Sequence, residues 1–305
     1  MQPSLPSTAV RQKDNKRTRS FSMSNPPLTL MLVHAHPDDE AITTGGIMLK
    51  YAEEGARVVL VTCTRGELGD IQDPGYVPPK PGMTMEEIRM TEMSDALGVL
   101  KVSAFHCMDY RDSGMAGNPG NDDPKSFHQA DMTEASNRLA AIIRKERPQV
   151  VITYDETGIY YHPDHVKAHQ ITQKAFFDAG KPDLLLEDGK PAWQPARLYH
   201  IAIPMARIRR YNQEGTDPAS RPPSSIVGTP EEKITTRIDI EKYLDRKFEA
   251  IYSHKSQIGG NHRFRNLTLE QRKEMFGYEH FVCAYGCIPL MEGGKEKDIF
   301  AGLRI

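Results

Sequence analysis

The chain has 305 residues, 38% hydrophobic and 26% charged, enough to bury a sizeable core as one large domain or one domain with a small appendage. A net charge of −2 gives no global bias toward nucleic acid or membrane, so any partner has to be argued from local sites. No apolar run approaches the ~18 residues of a membrane span.

Residues 1–27 carry Arg11, Lys13, Lys16, Arg17 and Arg19 against Asp14 alone, among Pro, Ser, Thr and Gln, and read as a disordered basic tail. A solvated extension is the preferred reading over a contact with nucleic acid or acidic lipid. The tail lacks the apolar core of a secretory signal, and Met23 is a candidate alternative start.

Leu28–Val33 then reads as a strand, Ile42–Glu54 as a helix, Arg57–Cys63 as a strand and Thr84–Leu97 as a helix closed by Gly98. Val102–Cys107 (strand), Asp131–Arg147 (helix, stopped by Pro148), Gln149–Tyr154 (strand) and a helix from Pro163 to Ala179 continue the alternation. Such alternation implies an α/β fold with a doubly wound, Rossmann-like, mostly parallel sheet whose strand-to-helix loops open on one edge. Beyond Pro182 the pattern is irregular. Arg197–Ile203 reads as a strand, Tyr211–Pro230 as a polar loop rich in Pro and Ser, and Ile240–Ser253 as an amphipathic helix. A loop of ~20 residues inside a compact domain is usually functional, so 211–230 reads as a lid or an oligomer contact. Residues 28–305 are taken as one domain, with 182–305 as its C-terminal part.

The cysteines do not resemble a disulfide framework. Cys63 and Cys107 sit in apolar strand-like runs, and Cys283 and Cys287 with His280 could be a second metal set, but core packing is preferred. Reduced thiols place the protein in the cytoplasm.

The chemistry concentrates in two loops. His34-Ala35-His36-Pro37-Asp38-Asp39-Glu40 leaves the first strand, and Tyr160-Tyr161-His162-Pro163-Asp164-His165 follows Gln149–Tyr154 and opens the next helix. Unpaired buried carboxylates are costly, and a metal ion would remove that penalty. His36 and Asp39, three apart, can share a face, as can His162 and His165, so the loops can converge on one ion. His36, Asp39 and one histidine of the second loop would leave a zinc ion net positive with an open position, able to bring water to a pKa of about 7. Asp38, diverging from Asp39, is then free to act as general base. The remaining histidine, His162, is open to protonation by its acidic surroundings and can serve the leaving nitrogen or the oxyanion, with Tyr160 as a second oxyanion donor. Glu40 caps the helix or holds a ligand histidine, and His34 reads as a core residue.

With both motifs in hand, the chain resembles the PIG-L/LmbE-like family of zinc-dependent N-deacetylases from about Leu28 to Phe281. Thr62–Asp70, Arg111–Gly117 and Ser253-His254-Lys255-Ser256-Gln257 are similar to the branch acting in mycothiol metabolism, which includes the N-acetylglucosaminyl-inositol deacetylase and the mycothiol S-conjugate amidase. The resemblance implies His36, Asp39 and His165 as zinc ligands, Asp38 as base, and His162 with Tyr160 as groups that stabilise the tetrahedral intermediate and protonate the amine. It also implies Asp70, Arg89 and Asp112 as contacts to sugar or inositol hydroxyls. A polyol suits an arginine fork and carboxylate acceptors, and Gly114 and Gly117 would let backbone approach a ligand.

Two departures bear on the substrate. Thr43-Thr44-Gly45 stands where the amidase typically has a lysine, which favours small N-acetyl sugars, and Asp70 stands where the sugar deacetylase usually has glutamate. The expectation is a hydrolase with one Zn2+ per chain, Fe2+ being the alternative in a reducing cell, that deacetylates an N-acetylglucosamine-type small molecule. Neither nucleic acid nor membrane is expected as a partner, and a homo-oligomer is left open. The rivals are an amidase on a thiol S-conjugate and a noncatalytic sugar-binding module.

Overall fold

β1 (Thr29–His34) is buried along its whole length, and β2 (Arg57–Thr64) at every residue but Arg57. Strands apolar on both faces need helices on both faces, the condition met by parallel strands joined through crossover helices. The fold comes from a computed structural model that describes residues 27–186, 189–213, 226–260, 262–289 and 293–304. Its strands form one sheet ordered β3-β2-β1-β4-β5-β7-β6, with β3 at Ala104–Tyr110, β4 at Val150–Thr153 and β5 at Arg197–Ala202. These five are parallel, in keeping with the predicted class.

From β1 the chain winds outward through β2 and β3, then returns to place β4 on the other side of β1, in the register Leu30↔Val150 and Leu32↔Ile152. The loops leaving β1 and β4 therefore diverge at a topological switch point, the crevice where open α/β sheets bind ligands.

Helix boundaries differ from the sequence reading for local reasons. α1 (Asp39–Glu53) begins before Ile42, with Asp39 and Glu40 in a first turn whose partial positive charge favours carboxylates. α2 (Met85–Leu100) opens on a capping box in which Glu87 N–H donates to Thr84 Oγ1 and Thr84 N–H to the Glu87 carboxylate. It passes through Gly98 and ends at left-handed Lys101, because burial of Leu100 outweighs the cost of one helical glycine. α3 (Met132–Glu146) is capped by the Asp131 side chain and stops at left-handed Arg147, before Pro148. A distorted turn, α4 (Gly158–Tyr161), precedes α5 (Pro163–Asp178).

The C-terminal part extends the same sheet. β7 (Tyr278–Tyr285) pairs antiparallel with β5, and β6 (Thr236–Asp239) antiparallel with β7. The sequence reading does not find these two strands, since Glu279 and His280 interrupt the apolar pattern of β7. Glu279 is nevertheless buried, accepting the N–H groups of Gly46 and Ile47 at 2.8 Å each and pairing with buried Lys247 at 2.6 Å. α6 (Met205–Gln213) runs through Tyr211, so the polar loop starts later than predicted, and most of 211–230, with its lid or contact reading, lies outside the described residues. The predicted Ile240–Ser253 helix is a short turn, Glu241–Tyr243, followed by α7 (Leu244–Ser253), and α8 (Leu269–Phe276) leads into β7.

Cys283 and Cys287 form a disulfide across a Cα separation of 5.7 Å, which corrects the reading of them as reduced core thiols. Their spacing at the end of β7 brings the sulfurs together at a partly exposed position where no core packing separates them. Cys63 and Cys107 are free. Among the described residues no helix is long and apolar enough to cross a membrane.

Candidate active site

The loop after β1 and the start of α5 meet beyond the ends of β1 and β4. His36 Nδ1 and His165 Nε2 stand 3.2 Å apart, and Asp39 Oδ2 is 3.4 Å from each. Each ring is fixed from behind. His165 Nδ1 donates to the Gly158 carbonyl at 3.1 Å, and His36 Nε2 donates to Asp164 Oδ2 at 3.1 Å. A ring nitrogen bonded to a pure acceptor carries the proton, so in each neutral imidazole the lone pair is on the nitrogen facing the other two donors.

Three lone-pair atoms facing one another suit a cation. Tetrahedral donors about 2.0–2.1 Å from a zinc ion stand about 3.3–3.4 Å apart, which matches this triangle. The Asp112, Asp164 and Asp39 carboxylates favour positive charge here, raising the pKa of His36 well above its ordinary value despite the opposing effect of burial, and a cation in the triangle would meet that demand with the ring neutral. Burial likewise opposes charge on Asp39, yet His165 and His36 hold its carboxyl well below the usual range. A second grouping, His36, His162 and His165, also brings donor atoms close together, as does His36 with Asp112 and Asp164.

Other residues set these groups. Tyr154 O–H donates to Asp39 Oδ2 at 2.7 Å, and the His36 backbone N–H donates to the same oxygen at 2.9 Å. Ser113 grips Asp164 from its N–H at 2.9 Å and its Oγ at 2.7 Å. Sequence patterning does not single out Tyr154, Ser113 and Asp164 as site residues. Asp164 lies inside the second motif, and that position is the signal the sequence offers for it.

Asp38 stands outside the triangle. Its backbone is at φ 109°, ψ −29°, a conformation that costs a non-glycine residue roughly 1–3 kcal/mol. The Asp38 N–H donates to Glu40 Oε2 at 2.9 Å, and Arg89 Nη2 lies 3.1 Å from Asp38 Oδ2. Burial pushes the Asp38 carboxyl up to about 6, against the pull of that guanidinium. Arg89 is itself buried and also donates to the carbonyls of Gly66 and Pro37.

The three residues implied as polyol contacts meet around the loop 66–70, where a Cβ on Gly69 would lie 2.9 Å from Arg89 Nη1 and the Leu68 N–H donates to Asp112 Oδ2 at 3.3 Å. Arg89 is directed at Asp38. Buried Asp112 accepts the Gly114 N–H at 2.8 Å and lies 3.5 Å from His36 Nε2, while Asp70 is exposed. Gly66 is at φ +70°, and a Cβ there would lie 2.2 Å from Arg89 Nη1. Gly66→Ala is expected to cost about 1–3 kcal/mol of stability and to lower activity by displacing Arg89. Thermal denaturation checks this, and an unchanged melting temperature would contradict it.

His162 differs from its expected protonated state. It caps α5 by accepting the Asp164 N–H on Nδ1 at 3.2 Å, and burial, then the neighbouring His36 and His165, bring its pKa down to about 2. A neutral ring accepting on Nδ1 donates through Nε2. Tyr160 O–H lies 3.4 Å from His165 Nε2, on a turn where Ile159 and Tyr161 take positive φ of 71° and 61°. Glu40 caps Asp38 and bonds His254 at 2.8 Å rather than a ligand histidine, and His34 is a buried core residue bonded to Thr44 at 2.9 Å. A cavity of about 310 Å³ runs from Asp38, Asp39, Tyr160 and His165 to apolar residues of the C-terminal part, among them Ile203, Phe264 and Phe276.

A family model described as PIG-L, GlcNAc-PI de-N-acetylase, matches residues 31–176. The 1D-myo-inositol 2-acetamido-2-deoxy-alpha-D-glucopyranoside deacetylase of Thermobifida fusca is 41% identical over 286 residues, covering 89% of this chain and 98% of the relative. The corresponding deacetylase 1 of Frankia alni is 38% identical over 288 residues, covering 89% and 99%. Among solved structures, N,N'-diacetylchitobiose deacetylase from Pyrococcus horikoshii is similar in fold, with a TM-score of 0.58 at 18% identity over 85% of this chain and 84% of that one.

Proposed function

Because the chain belongs to the PIG-L de-N-acetylase family, we propose that it is a metal-dependent hydrolase removing acetyl from an N-acetylglucosamine-type substrate, with a glucosaminyl-inositol as the preferred form. The observation that carries this reading is the triangle of His36 Nδ1, Asp39 Oδ2 and His165 Nε2 with Asp38 beside it. These three residues would hold the ion, and zinc suits two imidazoles and one carboxylate. Bound there, a metal supplies Lewis acidity to the amide carbonyl and acidifies water.

The chain's own groups perform the proton transfers. Asp38, ionised, takes a proton from the attacking water as its oxygen bonds to the amide carbon. Tyr160 O–H and His162 Nε2–H donate to the carbonyl oxygen as it becomes an oxyanion. Protonated Asp38 then returns the proton to the departing nitrogen as the C–N bond breaks, giving acetic acid and the free amine, which part as acetate and ammonium. Arg89 keeps the Asp38 carboxylate from swinging into the triangle, where it would compete with Asp39.

A second reading, an amidase on a larger thiol conjugate, draws on the apolar walls that Ile203, Phe264 and Phe276 give the cavity beside Asp38 and Tyr160. One preparation assayed on N-acetylglucosaminyl-inositol, simpler N-acetyl sugars and a thiol-conjugate amide, with its metal content measured, separates the two. Fastest turnover on an N-acetyl sugar, lost on chelation and restored by Zn2+, is expected. Undiminished turnover after the metal is stripped would overturn the proposal.

A further inference from the structure

The segment Ser253–Gln257, singled out in the sequence, plays no part in the proton transfers just described, yet it is bonded to Glu40, which holds Asp38, and to Glu92 on the helix that carries Arg89. It leaves the C-terminal end of α7, which packs against α1 and α2. His254 is fully buried, and its Nε2 donates to Glu40 Oε1 at 2.8 Å. The other oxygen of that carboxylate accepts the Asp38 N–H at 2.9 Å. Two residues on, the Ser256 N–H and Oγ donate to the two oxygens of Glu92 at 2.7 Å each. Glu92 is buried one turn from Arg89 on α2, and Arg89 meets the Asp38 carboxylate.

A carboxylate free to rotate would satisfy either the Asp38 N–H or a neighbour, but not hold a left-handed aspartate against relaxation. Bonded at both oxygens, Glu40 has one orientation. We propose that His254 is a positioning residue: through Glu40 it keeps Asp38 in its left-handed backbone conformation, so that the carboxylate faces the water rather than the metal donors. This rests on the reading of Asp38 as the base. A buried histidine more than two hundred residues along the chain would then act on the chemistry without touching substrate.

The test compares His254→Leu with His254→Gln, each alone and combined with Asp38→Ala. The leucine variant is expected to lose about 10- to 100-fold in kcat, the effect of a misplaced reacting group, with KM and metal content unchanged. Glutamine places an amide donor near the Nε2 position and is expected to recover most of that loss. In the Asp38→Ala background, His254→Leu is expected to cause no further loss, because the group it positions is gone. An equal loss in both backgrounds, or a glutamine variant as poor as leucine, would overturn the proposal. Full activity of Asp38→Ala alone would instead overturn the reading of Asp38 as base. If His254→Leu does not fold, Glu40→Leu, which removes both bonds, carries the same comparison.

Discussion

Asp38→Ala is expected to lower kcat by about 10²- to 10⁴-fold, the usual contribution of a positioned general base, while the protein keeps its metal. The two effects separate because Asp38 and Asp39, though adjacent, face different partners. Asp39 Oδ2 closes the triangle with His36 and His165, whereas Asp38 pairs with Arg89 at 3.1 Å. A carboxyl pushed up to about 6 by burial is better matched to taking and returning a proton near neutrality than one at its ordinary value. Asp38→Asn, which preserves shape and the contact with Arg89, is expected to be equally inactive. Asp38→Gly is expected to be more stable than Asp38→Ala, since glycine adopts φ 109° without strain. Steady-state kinetics, metal analysis and thermal denaturation of the three variants check these outcomes. Wild-type turnover by a metal-free Asp38→Ala sample would remove the mechanism.

His165→Ala is expected to reduce the bound metal from about one per chain to near zero, and activity with it, by removing one of the three donors on which a closed zinc set depends. His162 is the nearest replacement, its ring centroid 5.0 Å from that of His165, but its Nδ1 already accepts the Asp164 N–H. Asp164→Asn is expected to weaken metal binding by about 10- to 100-fold and no further, because Asp164 orients His36 without supplying a donor to the triangle. Competition with a chelator ranks the variants. If His162→Ala loses the metal while His165→Ala keeps it, the ion is held by a different set.

How far all this is legible in sequence depends on the range of the interaction. Strand and helix alternation up to Ala179 implies a parallel sheet because hydrophobic period is local, and the boundary differences at Ile42 and Gly98 come from forces the period does not carry, a helix dipole and the burial of Leu100. β6 and β7 escape that reading because Glu279 is buried only by virtue of Lys247 and the N–H groups of α1. The Cys283–Cys287 bond needs, besides the spacing of the two residues, the folded geometry at the end of β7.

That two histidine and carboxylate motifs follow strands of one parallel sheet, and so open on the same edge, can be read from residue order, because each motif and each strand is a run of neighbouring residues. Which atoms face one another is set by the folded packing. It set His36 Nδ1 against His165 Nε2 by placing Asp164 and the Gly158 carbonyl behind the rings, and turned Arg89 toward Asp38 instead of outward. It also brought His254 to Glu40 across 214 residues. Such contacts are chosen by the packing of whole helices on a sheet, and no local pattern records which side chains that packing brings within a hydrogen bond of each other.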